Sequence, residues 1–303
     1  MRAMVISGGG SKGAFAGGVA QYLIDEMHYD YDIFVGTSTG SLLISHLAMN
    51  EVAKIRKVYT SVGPKDIFNS NPFTITTGKS GDKQIGINHL NIVKNFLKGK
   101  LTFGESLNLR KLITNSLSPQ EFEKLKNSGK EVVVTVSNLS LDQVEYKSIK
   151  DFDYDDFCDW IWISANFAPF MSLVKKDGCE YADGGFASMV PIEEAINRGA
   201  TIIDAIILET EVTFFNHMPS KNAFSLLTNI HSYMADRIEK QNIRIGKLVA
   251  GNKGAIINFF YTPSVLTTNS LVFDSKLMCG WWESGLQYAR EKSTDCNEIK
   301  TDE

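Results

Sequence analysis

Two glycine-rich segments near the amino terminus carry residues that could do chemistry together. The first is Gly8-Gly9-Gly10-Ser11-Lys12-Gly13 (the glycine loop), and the second is Gly36-Thr37-Ser38-Thr39-Gly40. Each follows a short apolar run and precedes a stretch that is typical of a helix. A glycine-rich strand-to-helix turn presents backbone N–H groups to an anion, and a Gly-x-Ser-x-Gly turn presents a serine hydroxyl at a sharp corner. The pair predicts an oxyanion hole beside a serine nucleophile, Ser38.

A serine hydroxyl is a poor nucleophile at neutral pH, so Ser38 needs a residue that accepts its proton. The chain has five histidines: His28, His46, His89, His217 and His231. His46 follows Ser38 by about two helical turns, roughly 12 Å along the axis, which is too far for proton transfer. His217 and His231 fit the Ser, Asp, His order of an α/β-hydrolase, but neither lies in a supporting motif. From the residues alone, a histidine base at either position stays open.

An aspartate is a second candidate for this partner. Asp183 ends a short strand-like segment and is followed by Gly184 and Gly185, which let the backbone turn closely past another group. An ordinary Asp-Gly turn would show the same residues. The choice between these interpretations depends on the three motifs taken together.

In this order and spacing, the glycine loop, the serine turn and Asp183-Gly184-Gly185 resemble the motifs of the patatin-like phospholipase family. Residues 164–170 and 191–195 extend the resemblance, which covers residues 1–199. It implies a lipid acyl hydrolase, of phospholipase A or lysophospholipase type, in which Ser38 is the nucleophile and Asp183 replaces histidine as its partner.

The resemblance also implies roles for the glycine loop. Backbone N–H groups of Gly9, Gly10 and Ser11 are the expected oxyanion donors, and Lys12 is expected to be structural or phosphate-facing. Because a normal aspartate pKa near 4 is low for a base, we expect the surroundings of Asp183 to be partly desolvated.

Other functions fit parts of the same pattern. Gly8, Gly10 and Gly13 satisfy a dinucleotide-binding fingerprint, but the serine turn occupies the strand end where that fingerprint needs an acidic residue. A carrier-protein acyltransferase or a histidine-based esterase would combine the serine turn with a histidine. An inactive lipid-binding scaffold would not need both Ser38 and Asp183.

The elements that must position these residues alternate between strands and helices. Strands are predicted at 3–6, 33–35, 130–136 with a hairpin partner at 143–149, 201–208 and 255–261. Helices are predicted at 41–49, 88–97, 156–167, 222–249 and 275–292, and another begins with a capping box, Ser118-Pro119-Gln120-Glu121. This order predicts a layered α/β fold. With the resemblance, the prediction is a three-layer α/β/α fold with a mainly parallel central sheet and a serine nucleophile elbow.

One domain is predicted over residues 1–292, with a disordered tail at 293–303. Residues 63–104 are predicted to be an insertion that covers the site, because they combine scattered polar residues with a single helix. The large apolar side chains of this insertion are expected to form either an interfacial cap or part of the core. They are Phe68, Phe73, Ile75, Phe96 and Phe103.

Composition limits the partners. The 303 residues carry a net charge of −4 without a Lys or Arg block, which argues against a nucleic-acid partner. No apolar run approaches the roughly 18 residues of a membrane span, and no signal peptide fits before the glycine loop. Cys158, Cys179, Cys279 and Cys296 lack metal-like or paired spacing. The sequence predicts a cytoplasmic protein without metal or cofactor that binds a lipid or other acyl ester and contacts membranes only peripherally.

Overall fold

The computed structural model describes residues 1–77, 83–212, 220, 223–267 and 269–298. The strands in these residues are β1 (Arg2–Ile6), β2 (Ile33–Thr37), β3 (Phe73–Thr77), β4 (Lys83–Ile87), β5 (Glu131–Asn138), β6 (Gln143–Ser148), β7 (Val174–Lys176), β8 (Cys179–Asp183), β9 (Ile202–Ile207) and β10 (Ile256–Tyr261). The α-helices are α1 (Gly13–Gln21), α2 (Thr39–Ala48), α3 (Val52–Ser61), α4 (Pro64–Ile67), α5 (His89–Leu97), α6 (Leu107–Ser116), α7 (Pro119–Lys126), α8 (Tyr154–Ser164), α9 (Ile192–Asn197), α10 (Ala223–Lys253) and α11 (Ser275–Glu298).

The central sheet has eight strands within the described residues. Its order is β10-β9-β1-β2-β5-β8-β7, and β6 pairs with β5 off this path. The five strands from β10 to β5 in this order are parallel to one another. Strands β6 and β8 both pair with β5 in the antiparallel sense, and β7 pairs with β8 in the antiparallel sense. The predicted mainly parallel sheet is confirmed.

Helices cover both faces of this sheet, because alternate side chains of each central strand point to opposite sides. Met4 and Ile6 of β1 belong to a core that includes side chains of α1, α2, α8 and α11. Ala3 and Val5 belong to a second core, which includes side chains of α9 and α10. The fold is therefore the predicted α/β/α arrangement.

Several predicted elements form where the local sequence signals place them. Ser118 and Glu121 make the capping box of α7, and β5 and β6 form the predicted antiparallel hairpin. Helix α11 continues to Glu298, although the sequence predicted a disordered tail from residue 293; residues 299–303 lie outside the described part. None of the helices in the described part combines the length and hydropathy needed to cross a bilayer.

Residues 63–104 contain α4, a hairpin of β3 and β4, and α5. The sequence predicted α5 but not the hairpin. A bridge between Ser70 and Glu105 closes the base of this segment. Phe68 and Phe73 are buried in the main core and Phe103 is partly buried, whereas Phe96 is about half exposed. The side chain of Ile75 lies outside the described part, so the segment supplies both core and surface aromatic side chains.

Helix α11 packs tightly against α1 through small residues. A β-carbon at Gly17 would lie 2.1 Å from the ring of Trp282, and one at Gly18 would lie 1.9 Å from the backbone oxygen of Trp282. The indole of Trp282 is fully buried and donates a 2.8 Å hydrogen bond to Oε1 of Gln21. This contact fixes the carboxyl-terminal helix to the helix that follows the glycine loop.

We therefore expect Trp282→Ala to lower the free energy of unfolding by about 3–5 kcal/mol, since it leaves a large cavity between α1 and α11. Urea unfolding followed by circular dichroism measures the loss. Trp281→Ala is the matched control, because Trp281 is only partly buried and its truncation should cost less. Equal losses for the two variants would contradict this packing.

Candidate active site

Ser38 occupies the sharp turn between β2 and α2. Its backbone has φ 54° and ψ −118°, a strained conformation for a residue with a side chain. The turn needs glycine on both sides, because a β-carbon on Gly36 would lie 2.5 Å from the carbonyl carbon of Gly40, and one on Gly40 would lie 2.3 Å from the oxygen of Ile6. The Ser38 N–H donates to Oγ of Ser164 at 2.9 Å. This geometry is that of a nucleophile elbow.

The hydroxyl of Ser38 donates a 2.6 Å hydrogen bond to Oδ2 of Asp183. The pairing of β5 explains how residues 145 positions apart meet. Residues 133–138 of β5 pair with β6 along one edge, so β2 and β8 must share the other edge. There Thr37 pairs with Thr135, and Asp183 pairs with the next residue, Val136. The end of β8 therefore lies directly beyond the end of β2.

Further contacts orient the carboxylate of Asp183. The N–H of Gly185 donates to Oδ1 at 2.8 Å, which leaves Oδ2 for Ser38. The N–H of Asp183 itself donates to the oxygen of Asn166 at 2.9 Å. Gly184 is required by close approach, because a β-carbon there would lie 2.2 Å from the oxygen of Thr135.

Burial gives Asp183 the protonation behaviour of a base that works near neutral pH. The side chain is almost completely buried, and this burial raises its pKa to about 7, against the lowering effect of the hydrogen bonds from Ser38 and Gly185. The desolvation expected from the sequence is thus present at Asp183.

The glycine loop lies beside Ser38, with a β-carbon built on Gly8 only 3.3 Å from Cβ of Ser38. Most of its N–H groups already donate within the protein: Gly8 to Met189 O at 3.1 Å, Ser11 to Ser270 O at 2.8 Å, Lys12 to Gly9 O at 3.2 Å, and Gly13 to Gly10 O and Ser11 O. Among the described residues, no hydrogen bond from the N–H groups of Gly9 and Gly10 is found. Within the described residues, these two N–H groups of the glycine loop are left without an acceptor.

Two residues far from the loop in sequence hold it in place. Tyr59 of α3 donates a 2.7 Å hydrogen bond to the oxygen of Gly10 and also bonds the hydroxyl of Thr39, the residue after Ser38. Ser270 covers the loop from the other side, and its oxygen would lie 2.2 Å from a β-carbon on Gly10. Gly10 has φ 56°, so both its conformation and its surroundings require glycine.

Lys12 lines the same cavity as Ser38, and its ammonium group contacts a carboxylate there. It is buried and forms an ion pair with Glu209. Glu239 of α10 lines the same cavity, and burial, together with the nearby Glu209, raises its pKa to about 8, while Lys12 opposes this rise. The ion pair fits the structural role expected of Lys12, which stays a prediction.

A cavity opens at Ser38 between the sheet and helix α10. Asp183 and the glycine loop lie at its polar part, and apolar walls come from Ile67, Phe73, Leu109, Phe167, Phe170 and Phe273. A second, apolar cavity lies between α2, α3 and α6 and shares Leu42, Ile67, Leu109 and Phe273 with the first.

The structure separates the histidines by location. The Nε2 atom of His46 lies 3.0 Å from the oxygen of Ser116, and burial lowers its pKa. His231 lines the cavity at Ser38, where its ring contacts Phe167, Phe170 and Phe186 edge-on and its Nδ1 atom lies 2.9 Å from the oxygen of Leu227. His217 lies outside the described residues. Ser38 is thus hydrogen-bonded to Asp183 and not to His231.

Several residues at the site carry no local sequence signal. Tyr59, Ser270 and Glu239 reach the site only through the fold, and spacing along the chain could not identify them. Ser164 lies in a segment that the family resemblance included, but its hydrogen bond to Ser38 could not be inferred. The described residues contain no cluster of three or more His, Cys, Asp or Glu side chains that could hold a metal ion.

A family model for patatin-like phospholipases matches residues 4–196. The chain belongs to the patatin-like phospholipase family. Patatin-like phospholipases are hydrolases that act on lipid esters. The match includes all three motifs that carry Ser38, Asp183 and the glycine loop.

The patatin-like fold extends beyond the matched residues. A crystal structure of VipD from Legionella pneumophila superposes with a TM-score of 0.51 at 13% sequence identity, and the alignment covers 96% of this chain. It covers 66% of the VipD chain, so this chain spans less than two thirds of that protein. No curated protein matches the sequence.

The raised pKa of Asp183 predicts a pH-dependent effect on stability. An unfolded aspartate ionises near pH 4 and the folded Asp183 near pH 7, so ionisation of the buried carboxyl destabilises the fold as pH rises through this window. We expect Asp183→Asn to raise the free energy of unfolding at pH 8, by up to about 4 kcal/mol, and to have much less effect near pH 4.

Denaturant unfolding at the two pH values measures this difference. The exposed Asp155→Asn is the matched control, and its effect should not depend on pH in this way. If Asp183→Asn changes the free energy of unfolding by the same amount at both pH values, the raised pKa of Asp183 is contradicted.

Proposed function

We propose that this protein is a serine lipid acyl hydrolase of phospholipase A or lysophospholipase type, with Ser38 and Asp183 as its catalytic dyad. The observation that carries the proposal is the 2.6 Å hydrogen bond from Ser38, in a strained elbow, to a buried aspartate whose pKa is near 7. The family's activity on lipid esters supports the substrate class.

In the first half-reaction, Oγ of Ser38 attacks the carbonyl carbon of an acyl ester while its proton passes to Oδ2 of Asp183. The N–H groups of Gly9 and Gly10 stabilise the negative charge that develops on the carbonyl oxygen. Asp183 then donates the proton to the departing alkoxide, and the alcohol leaves. The acyl group remains on Ser38 as an ester.

In the second half-reaction, Asp183 accepts a proton from water, which attacks the acyl ester of Ser38. The same two N–H groups hold the second oxyanion. Asp183 returns the proton to Oγ of Ser38 as the fatty acid is released. The dyad ends in its starting state, and one water molecule has been consumed.

The neighbouring apolar cavity suits the acyl chain. It shares wall residues with the cavity at Ser38 and is lined by side chains such as Leu42, Ile55 and Ile113. Burial of each methylene group of a chain would contribute roughly 0.8 kcal/mol to binding. This arrangement favours long-chain esters.

Other parts of the proposal concern the chain as a whole. We propose that residues 1–292 form one domain and that residues 63–104, which contribute Ile67 and Phe73 to the cavity wall, are an insertion at its entrance. A cytoplasmic location with peripheral membrane contact is proposed from the sequence, as is the absence of a cofactor or metal.

Labelling with a fluorophosphonate probe tests the dyad. We expect Ser38→Ala to abolish labelling. In ester hydrolysis, we expect Asp183→Asn to lower kcat/KM by about 100- to 10,000-fold, the usual effect of losing a general base. His231→Ala is the matched control, because His231 lines the same cavity without contacting Ser38, and it should keep the reactivity of Ser38. Labelling of Ser38→Ala equal to that of the parent would overturn the proposal. Loss of activity only in His231→Ala would instead favour a histidine-based esterase or acyltransferase.

The pH dependence of kcat/KM provides a second test. Because Asp183 must be ionised to accept a proton, we expect kcat/KM to fall about tenfold per pH unit below pH 7. Glu239 is the control, since it titrates near pH 8 in the same cavity. The inflection should remain near pH 7 in Glu239→Gln. An inflection that disappears in this variant would assign the titration to Glu239 and not to Asp183.

A further inference from the structure

Helix α5 turns an apolar face toward solvent. Leu90, Val93 and Leu97 follow the spacing i, i+3, i+7 and so lie on one side of the helix. They are 84%, 54% and 84% exposed, and Leu101, just after the helix, is 68% exposed. We call these four residues the α5 face. Single exposed leucines are common, but three apolar side chains on two helical turns, with a fourth just after the helix, form a surface that would be costly to leave in water.

Asparagines dominate the side of α5 that packs on the protein, where Ile92 is also partly buried, whereas an ordinary surface helix has a mainly apolar side there. Asn88 caps the helix by accepting a 3.1 Å hydrogen bond from the N–H of Asn91. The amide of Asn91 donates to the oxygen of Asn71 at 3.0 Å. Asn95 is buried, where it accepts from Ser70 at 3.0 Å and donates to the oxygen of Phe103 at 2.9 Å. These hydrogen bonds fix the orientation of α5 and hold its apolar face outward.

Exposed lysines lie beside the α5 face, although the net charge of the chain is −4. Of the four lysines in residues 83–104, Lys100 forms a 2.7 Å ion pair with Glu105. Lys94 and Lys98 lie on α5 or at its end and are exposed. Apolar side chains next to lysines on a short helix are typical of a helix that lies in the surface of an anionic bilayer.

A row of aromatic side chains connects α5 to the cavity at Ser38. The ring centroids of Phe96 and Phe103 are 6.0 Å apart, and those of Phe103 and Phe170 are 5.7 Å apart. Phe170 lines the cavity together with Ser38. Packed aromatic side chains thus join α5 to the wall of the cavity that contains Ser38.

We propose that the α5 face docks on the surface of a bilayer that contains anionic phospholipid, with its apolar side chains among the acyl chains and Lys94 and Lys98 at the phosphates. The proposal rests on the proposed function only in that the docked bilayer supplies the substrate. Docking itself does not require catalysis, so binding and hydrolysis can be tested separately.

Vesicle cosedimentation of the full chain tests the docking. Ser38→Ala is used as the parent so that no lipid is hydrolysed, and the vesicles are phosphatidylcholine alone or with phosphatidylserine added. We expect binding to the mixed vesicles, a loss of more than tenfold in Leu90→Ser/Leu97→Ser, and a loss of about 25-fold in Lys94→Gln/Lys98→Gln, at about fivefold per lysine. The lysine effect should shrink as salt is added.

Matched surface variants control for general effects of the substitutions. Leu139 and Leu141 are also exposed leucines, in the turn after β5, and Lys57 and Lys124 are exposed lysines on other helices. Leu139→Ser/Leu141→Ser and Lys57→Gln/Lys124→Gln should bind vesicles as the parent does. Circular dichroism of each variant confirms that the fold is intact.

Hydrolysis separates this proposal from the assignment of the dyad. With Ser38 present, the Leu90→Ser/Leu97→Ser variant should hydrolyse a soluble short-chain ester at the wild-type rate but lose at least tenfold in activity on vesicles. Failure of the parent to bind mixed vesicles, or equal binding by the α5 variants, would overturn the docking and indicate a protein partner for this face. If the wild-type protein does not hydrolyse the soluble ester, the result counts against the dyad but does not affect the docking proposal.

Discussion

The pairing along one edge of β5 is the constraint on which the site depends. Parallel β2 occupies this edge up to Thr135, and antiparallel β8 continues it from Val136. Two strands that approach from opposite directions thus end beside each other, with Ser38 immediately after one and Asp183 at the end of the other. The contact between the two side chains follows from backbone hydrogen bonds in the middle of the sheet. It is therefore as rigid as the sheet itself, and neither residue depends on a mobile loop for its position.

This rigidity is needed because both residues are held in unfavourable states. Ser38 has a backbone conformation that strains a side-chain-bearing residue, and Asp183 has a carboxyl group removed from water. Hydrogen bonds from the N–H of Ser38 to Oγ of Ser164 and from the N–H of Gly185 to the carboxylate offset part of this cost. The two cores on either side of the sheet provide the rest of the stability. The same burial that destabilises ionised Asp183 brings its pKa close to the pH at which a base is useful.

Local signals in the sequence predicted the elements better than the contacts among them. The elbow at Ser38, the capping box at Ser118 and the β5–β6 hairpin each follow from residues within a few positions of one another. The β3–β4 hairpin was missed because its apolar alternation is short, limited to Phe73 and Ile75 in one strand and Ile85 and Ile87 in the other, and lies among scattered Gly, Asn, Thr and Lys. The available oxyanion donors could not be predicted either. Whether Ser11 can donate depends on Ser270, which lies 259 positions away and accepts its N–H. The sequence identifies the glycine loop, but the contact with Ser270 determines that the N–H groups of Gly9 and Gly10 remain without an acceptor.

The orientation of helix α5 also depends on tertiary contacts that the local sequence does not predict. Its periodicity predicts a helix with one apolar face, and the usual expectation is that such a face turns toward the core. In α5 the asparagines decide otherwise, because Asn91 and Asn95 satisfy backbone carbonyls that would lack a partner if leucine faced inward. These partly buried hydrogen bonds to backbone carbonyls orient the helix, and the exposed leucines can find an apolar environment outside the protein. The outward leucines are thus the consequence of a polar anchor, and the anchor itself is joined, through Phe103 and Phe170, to the cavity that contains Ser38.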